Sequence, residues 1–307
     1  VTVQDTIPPV AVCNDITVQL NGAGNISVPA STVNGGSTDI CGVAGGNLAP
    51  STFNCSNIGT NPVVLTINDV NGNSDDCAAN VVVEDVTSPT AVCADITVFL
   101  DGAGNATVAG ADVDGGTSDN CSFSLAVAPN SFDCDDVGAN TYTLTATDPS
   151  SNAHNCSGTI TVQETTPPVA LCHDFTLEID SAGNTTVAPE DIDNGSSDNC
   201  NFSMAVDAGG TYQCIDHGLD TVAVLTVTDA SGNVSTCSSD VTILDNVGPV
   251  FIDCPEDIYN GCSHIIAWNE PGVYDNCNVA SFEGSHAPGT ILPTGSNIIT
   301  YTATDSA

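Results

Sequence analysis

The chain has 307 residues, no lysine, no arginine and 38 acidic residues, so its 12% of charged positions all carry one sign; an ordinary soluble protein is about 25% charged, with both signs present. That excludes nucleic-acid binding through a cationic face, docking on anionic lipid or sulfated glycan through a basic patch, and chemistry built on a catalytic lysine, an arginine clamp or a P-loop. With 41% apolar residues the chain is too hydrophobic for a disordered acidic tail and has material for more than one core.

Fifteen cysteines without a CxxC pair imply a disulfide framework, and therefore an oxidising compartment. The sequence shows neither a signal peptide nor an apolar run near 18 residues. A mature chain, or a piece of a longer one, is expected outside the cell or on its surface, with nothing inserted in a membrane.

Taken in order, residues 1–5 (VTVQD) match the closing strand of a repeat. A first repeat over 6–84 then opens at Cys13 with an alternating strand at 16–20 and the turn Asn21-Gly22-Ala23-Gly24-Asn25. Asp39 stands two positions before Cys41, Cys55 follows, and the strand VVLTIND ends at Asp69. A Gly/Asn loop leads to Cys77 and the closing strand VVVE. The second repeat (85–164) restates this with CADITVFLDGAGNATV from Cys93, DNC at Cys121, Cys134, YTLTATD, Cys156 and TVQE. The third (165–245) does so with CHDFTLEIDSAGNTTV from Cys172, DNC at Cys200, Cys214, AVLTVTD and Cys237. The fourth (246–307) begins CPEDI at Cys254, gains Cys262, keeps DNC at Cys277, and stops after ITYTATD without a closing strand. The leading cysteines lie 80, 79 and 82 residues apart, a period too long for a solenoid coil and suited to beads on a string.

Every signal inside a bead is β: period-two alternation punctuated by Asn-Gly, Asp-Gly and Gly-Asn turns every 8 to 12 residues. About seven short strands per bead predict an all-β chain, a tandem array of Ig-like β-sandwiches without helices. Short proline-containing joints should hold neighbouring beads in contact.

Internal comparison suggests a cysteine pairing. The fourth repeat lacks the third cysteine of the others and carries Cys262 instead. If the DNC cysteine pairs with whichever member moves, the bonds are Cys262–Cys277, Cys41–Cys55, Cys121–Cys134 and Cys200–Cys214. First then joins last: Cys13–Cys77, Cys93–Cys156 and Cys172–Cys237.

The fourth repeat, with CPEDI, Ala267-Trp268-Asn269-Glu270-Pro271, DNC, Leu292-Pro293-Thr294-Gly295-Ser296 and ITYTATDSA, resembles the hyalin repeat. The other three share its frame without the Trp-x-x-Pro element or the Pro-Thr-Gly turn. The resemblance implies an extracellular immunoglobulin-like module associated with adhesion and matrices, and implies no catalysis.

Acids recur at fixed places. One precedes the second cysteine (Asp39, Asp119, Asp198, Asp275), one ends the penultimate strand (Asp69, Asp148, Asp229, Asp305), and the joints add Asp5, Glu84, Asp85, Glu164 and Asp245. In an Ig-like sandwich the two loops concerned share the pole facing the preceding bead, so these oxygens converge as Ca²⁺ requires. The competing reading is that they form Asx-turns and keep the surface soluble; the lack of any basic partner favours calcium. Sequons at Asn25, Asn105 and Asn184 fall on equivalent turns and are candidate glycosylation sites. Five histidines (His154, His173, His217, His264, His286) show no metal-binding spacing, and no enzyme is expected.

The chain therefore reads as a structural extracellular filament, stalk or matrix protein, calcium-stiffened and continuing end to end with further repeats or further copies of itself. A glycan- or receptor-binding adhesin is the alternative, disfavoured because the single tryptophan and five tyrosines are not grouped in sequence. The orphan strand at 1–5 and the open fourth repeat fit either a window of a longer array or strand exchange between subunits.

Overall fold

The computed structural model describes residues 3–216, 218–219, 221–259 and 265–307. It forms two compact units, one of residues 1–100 and 105–163, the other of residues 101–104 and 164–307.

In the first unit the first repeat supplies β1 (Ile16–Gln19), β2 (Asn25–Ser27), β3 (Val43–Ala49), β4 (Thr52–Asn54), β5 (Gly59–Asp69) and β6 (Ser74–Glu84). A four-stranded sheet runs β1-β6-β5-β3, and β2 pairs with β4 in a second, small sheet. The opening strand β1 lies parallel to the closing strand β6, with Ile16 beside Val81; β5 is antiparallel to both β6 and β3. Alternation decides which side chains go inside, since period-two strands bury every second residue. Val63, Leu65 and Ile67 of β5 and Val81 and Val83 of β6 are buried, and Val28, Val33 and Phe53 join them in one core.

The second repeat repeats the plan with β7 (Ile96–Phe99), β8 (Ala106–Thr107), β9 (Ser124–Ala128), β10 (Ser131–Phe132), β11 (Gly138–Thr147) and β12 (Ala153–Gln163), in the order β7-β12-β11-β9 with β8 on β10. One core position is refitted here. Tyr142 stands where the first repeat has Val63, and its cross-strand partner is Gly158 where the first has Ala79. A Cβ on Gly158 would meet the Tyr142 hydroxyl at 2.7 Å. The ring therefore fits only over glycine, and its hydroxyl donates to Ala94 O at 2.7 Å. Burial pushes this phenol above its ordinary pKa.

In the second unit the third repeat contributes β13 (Phe175–Glu178), β14 (Asn184–Thr186), β15 (Phe202–Val206), β16 (Thr211–Gln213), β17 (Thr221–Asp229) and β18 (Val234–Leu244), in the order β13-β18-β17-β15 with β14 on β16. The fourth contributes β19 (Val250–Ile252) paired with β20 (Gly272–Tyr274), and β21 (Val279–Gly284) paired with β22 (Tyr301–Asp305). The chain is thus all-β with repeated Ig-like sandwich sheets. The expectation of no helix needs one amendment: single turns α1 (Ala30–Val33) and α2 (Pro189–Ile192) bury Val33 and Ile192 at the sandwich end.

The disulfides depart from the sequence expectation in one systematic way. First joins last within a repeat, as Cys13–Cys77, Cys93–Cys156 and Cys172–Cys237. The remaining bonds do not close within a repeat. Cys55 bonds Cys121, and Cys214 bonds Cys277: the third cysteine of one repeat is joined to the second of the next. The pairs Cys41–Cys55, Cys121–Cys134, Cys200–Cys214 and Cys262–Cys277 are therefore corrected. Cys41 is a free thiol, Cys134 and Cys200 are each disulfide-bonded, and Cys262 lies outside the described residues. The physical reason is position. Cys55 begins a 3-10 turn directly after β4, at the end of the sandwich where the next repeat's DNC loop arrives, and its sulfur lies 3.5 Å from Asn120 O.

Candidate functional site

The same contact organises the acidic residues. In the first unit the hairpin turn of the first repeat receives the DNC loop of the second: Asn120 Nδ2 donates to Asn21 O at 3.3 Å and to Asp85 Oδ1 at 3.1 Å. Gly24 is required at this approach. Its φ is +71°, and a Cβ there would press on Asn120 O and lie 2.8 Å from Cys55 Sγ, a conformation and a clearance that only glycine supplies.

Around this contact, ligand atoms of Asp85, Asp119 and Asp148 all lie within 4.8 Å of one another. Each acid is fixed by one local donor set. Asp85 Oδ1 accepts from Thr87 N at 3.1 Å, and Asp119 Oδ2 from Cys121 N at 3.3 Å. Asp148 caps the loop after β11, accepting from Asn152 N and Asn152 Nδ2, both at 2.8 Å. Asp85 and Asp148 are each only 5% exposed, yet Asp85 Oδ2, Asp119 Oδ1 and Asn120 Oδ1 are buried without a hydrogen-bond partner. Carboxylates buried this way carry a large desolvation cost unless a cation or donors meet them, and the chain has no lysine or arginine to do so.

The pattern recurs elsewhere in part. In the second unit Glu164 Oε2 and Asp229 Oδ2 share the Asn233 side-chain amide at 2.8 Å each, and Asp198 Oδ1 is buried without a partner. Burial raises the Asp229 carboxyl, but hydrogen bonds from Asn233 outweigh it and hold the group below its ordinary pKa. Asn276 donates to Asp180 O at 3.0 Å and to Asp245 Oδ1 at 3.2 Å, and Asp275 Oδ2 and Asn276 Oδ1 lack partners. Asp305 accepts from Ala307 N at 3.0 Å.

Near the start of the chain, Asp5, Asp39 and Cys41 bring ligand atoms within 4.8 Å of one another, and Asp69 caps its own loop through Asn71 and Asn73. Glu84 is not part of any cluster; it ends β6 with its side chain exposed, and the neighbouring Asp85 turns inward. Among the described residues no other group of three histidine, cysteine or acidic side chains is this tight.

The DNC asparagines went unnoticed in the sequence, although their place beside a fixed aspartate in three repeats was the available signal. Asn25, Asn105 and Asn184 are exposed on their turns. His154 Nδ1 accepts from Ala91 N at 3.0 Å, and His217 and His264 lie outside the described residues. The aromatic residues, scattered in sequence, are gathered in the fourth repeat. Phe282 stacks on Tyr301 at 5.4 Å between centroids and contacts Phe251 at 6.3 Å, and Trp268 Nε1 donates to the Tyr301 hydroxyl.

Set beside known proteins, the chain is 30% identical to hyalin of Lytechinus variegatus over 183 residues, which is 56% of this chain and 34% of that protein. The chain is similar to hyalin. Hyalin of Strongylocentrotus purpuratus matches at 27% over 179 residues, 55% of this chain and 15% of that one. The Mus musculus Sushi, von Willebrand factor type A, EGF and pentraxin domain-containing protein 1 matches at 32% over 91 residues, 28% of this chain and 2% of that protein. The chain thus spans about a third of the Lytechinus hyalin and far less of the others. No family model matches. Among solved structures, an I-band fragment of titin aligns over 78% of the chain at 12% identity and a TM-score of 0.36, too low to carry weight beside the sheets themselves. The hyalin-repeat resemblance is borne out, and with it an extracellular repeat protein of structural or adhesive type. No helix among the described residues is long and apolar enough to cross a membrane.

Proposed function

We propose that the chain is a stiffened extracellular strut, in filament, stalk or matrix, without a catalytic role. Its modules are 6–84, 85–164, 165–245 and 246–307, linked in series by disulfides and by Ca²⁺, and continuing end to end with further repeats or copies. The observation that carries the calcium part is the set of buried, partnerless oxygens on Asp85, Asp119 and Asn120 beside Asp148. These are hard oxygen donors drawn from a linker, the DNC loop and a strand end, which suits Ca²⁺ and its preference for six to eight oxygens, some from water. The sets at Glu164, Asp198 and Asp229 and at Asp245, Asp275 and Asp305 are weaker candidates of the same kind. Asn25, Asn105 and Asn184 are proposed glycan carriers.

The test is calorimetric titration of chelator-stripped protein with Ca²⁺, with small-angle scattering and proteinase K digestion before and after. Saturable binding, lost in Asp85→Asn, together with a chain that becomes more flexible and digestible in EDTA while its disulfide-held repeats keep their melting temperature, is the expected result. Identical scattering, digestion and melting with EDTA and with excess Ca²⁺ would leave the carboxylates as turn and surface residues.

A further inference from the structure

The fourth repeat differs from the other three in what lies beside its penultimate strand. In the first three, that strand is covered on its far side by the closing strand, whose cysteine sits opposite one leucine: Leu65 faces Cys77, Leu144 faces Cys156 and Leu225 faces Cys237. Four and six residues beyond that cysteine the closing strand buries a pair of β-branched side chains, Val81 with Val83, Ile160 with Val162, and Val241 with Ile243, none more than 2% exposed. The closing strand also pairs in parallel with the opening strand.

In the fourth repeat all three contacts are open among the described residues. β22 pairs only with β21. The opening segment is in no strand, and its Ile258 and Tyr259 are 48% and 92% exposed. Cys254, counterpart of Cys13, Cys93 and Cys172, is a free, exposed thiol. Between them lies a groove of about 780 Å³ lined by Phe251, Cys254, Ile258, Trp268, Leu292 and Tyr301.

We propose that this groove is an acceptor site for a single β-strand of the form Cys-x3-(Val/Ile)-x-(Val/Ile), the closing strand of a repeat of this type. The strand adds antiparallel to β22, sets its cysteine opposite Tyr301, which occupies the leucine position, drops its two β-branched side chains into the groove, and bonds Cys254. An open strand edge supplies the backbone donors and acceptors, the groove selects side chains at alternate positions, and Cys254 makes the addition covalent. No other chemistry fits all three features: a small apolar ligand would leave the edge and the thiol unused. This names the partner implied by the end-to-end reading above and is independent of calcium.

The probe is a peptide copying residues 231–245, SGNVSTCSSDVTILD, its cysteine carried as a 2-thiopyridyl mixed disulfide. The Cys254 thiolate attacks the peptide sulfur and expels pyridine-2-thione; one S–S bond breaks and one forms, so no further oxidant is needed. Rates are measured at Cys254 and Cys41 by peptide mapping, against a scrambled peptide with the same activated cysteine. At least a tenfold preference for the strand peptide at Cys254, with none at Cys41, is expected. In Cys254→Ser, the peptide with serine for cysteine should still shift the emission of Trp268, the sole tryptophan. Equal rates for the two peptides, the same preference at Cys41, coupling mapped to another cysteine, or unmoved Trp268 emission would each overturn the proposal. A chain that captures the peptide but does not self-associate in sedimentation would remove the end-to-end reading and leave the groove standing.

Discussion

The cluster at Asp85 and the cluster at Asp5 are built from corresponding positions of successive repeats, yet they differ in what holds them. At Asp85 the following cysteine, Cys121, is bonded to Cys55, and Asn120 reaches from the hairpin carbonyl of Asn21 to Asp85. At Asp5 the corresponding residues are Cys41, a free thiol, and Ile40, 92% exposed. No described residue gives either of them an equivalent neighbour. Cys41 instead turns to Asp5: a hydrogen bond to Asp5 and its charge, with smaller contributions from burial and from Asp39 and Asp69, push the thiol above its ordinary pKa. The lesson is that the acids alone do not make the site. A preceding repeat supplies the sulfur, the carbonyl and the glycine surface against which the DNC loop is set.

The comparison breaks most severely if the covalent link is removed. Replacing both members in Cys55→Ser/Cys121→Ser opens a loop of sequence separation 66 and is expected to cost about 4 kcal/mol on the chain-entropy model. Thermal melting against the parent checks this, and an unchanged midpoint would show that the bond ties together repeats already held by other contacts.

Next in size is Gly24→Ala. The new Cβ would meet Asn120 O and the Cys55 sulfur in a left-handed backbone, at a cost of about 1–3 kcal/mol. Gly22→Ala, two residues away with open space around it, is the control, expected within about 0.5 kcal/mol of the parent.

Asn120→Ile imports the composition of the Asp5 cluster. Losing one neutral oxygen ligand and the bridge to Asp85 should weaken Ca²⁺ binding about tenfold, or about 1.4 kcal/mol, read by titration calorimetry. Unaltered affinity would limit the site to its carboxylates.

The smallest effect sharpens the other side. Asp5→Asn removes a negative charge beside Cys41, so the thiolate becomes easier to form and the thiol pKa falls. Alkylation of Cys41 at pH 8 should speed up a few-fold, while its rate far above the thiol pKa stays the same. A uniform acceleration at every pH would point to access rather than to charge.

Much of this architecture was legible. The 80-residue period and the turns carried the sandwich, and the first-to-last cysteine pairs follow from the parallel opening and closing strands. The second and third cysteines were misread because chain proximity favours closing a 14-residue loop from Cys41 to Cys55, and nothing in one repeat reveals that Cys55 ends on the surface facing its neighbour. The offset was hinted at in the fourth repeat, where Cys277 persists without a third cysteine of its own; Cys214 explains it. Glu84 was included because it adjoins Asp85, but strand alternation sends neighbours to opposite faces. The aromatic cluster around Tyr301 was invisible because Phe251, Trp268 and Phe282 reach it from separate segments.

The staggered disulfides also decide how the first unit would respond to tension. A pull entering before Cys13 crosses directly to Cys77, and one reaching Cys93 crosses to Cys156, so each sandwich keeps its interior slack. The 64 residues between Cys13 and Cys77 would otherwise pay out about 220 Å of extended chain. Cys55–Cys121 reaches from inside the first of these loops to inside the second, a second strand of rope spliced across the knot between them. Only a broken S–S bond releases that stored length, so under load the unit should behave as nearly inextensible in oxidising surroundings and lengthen in long steps once a reductant is present.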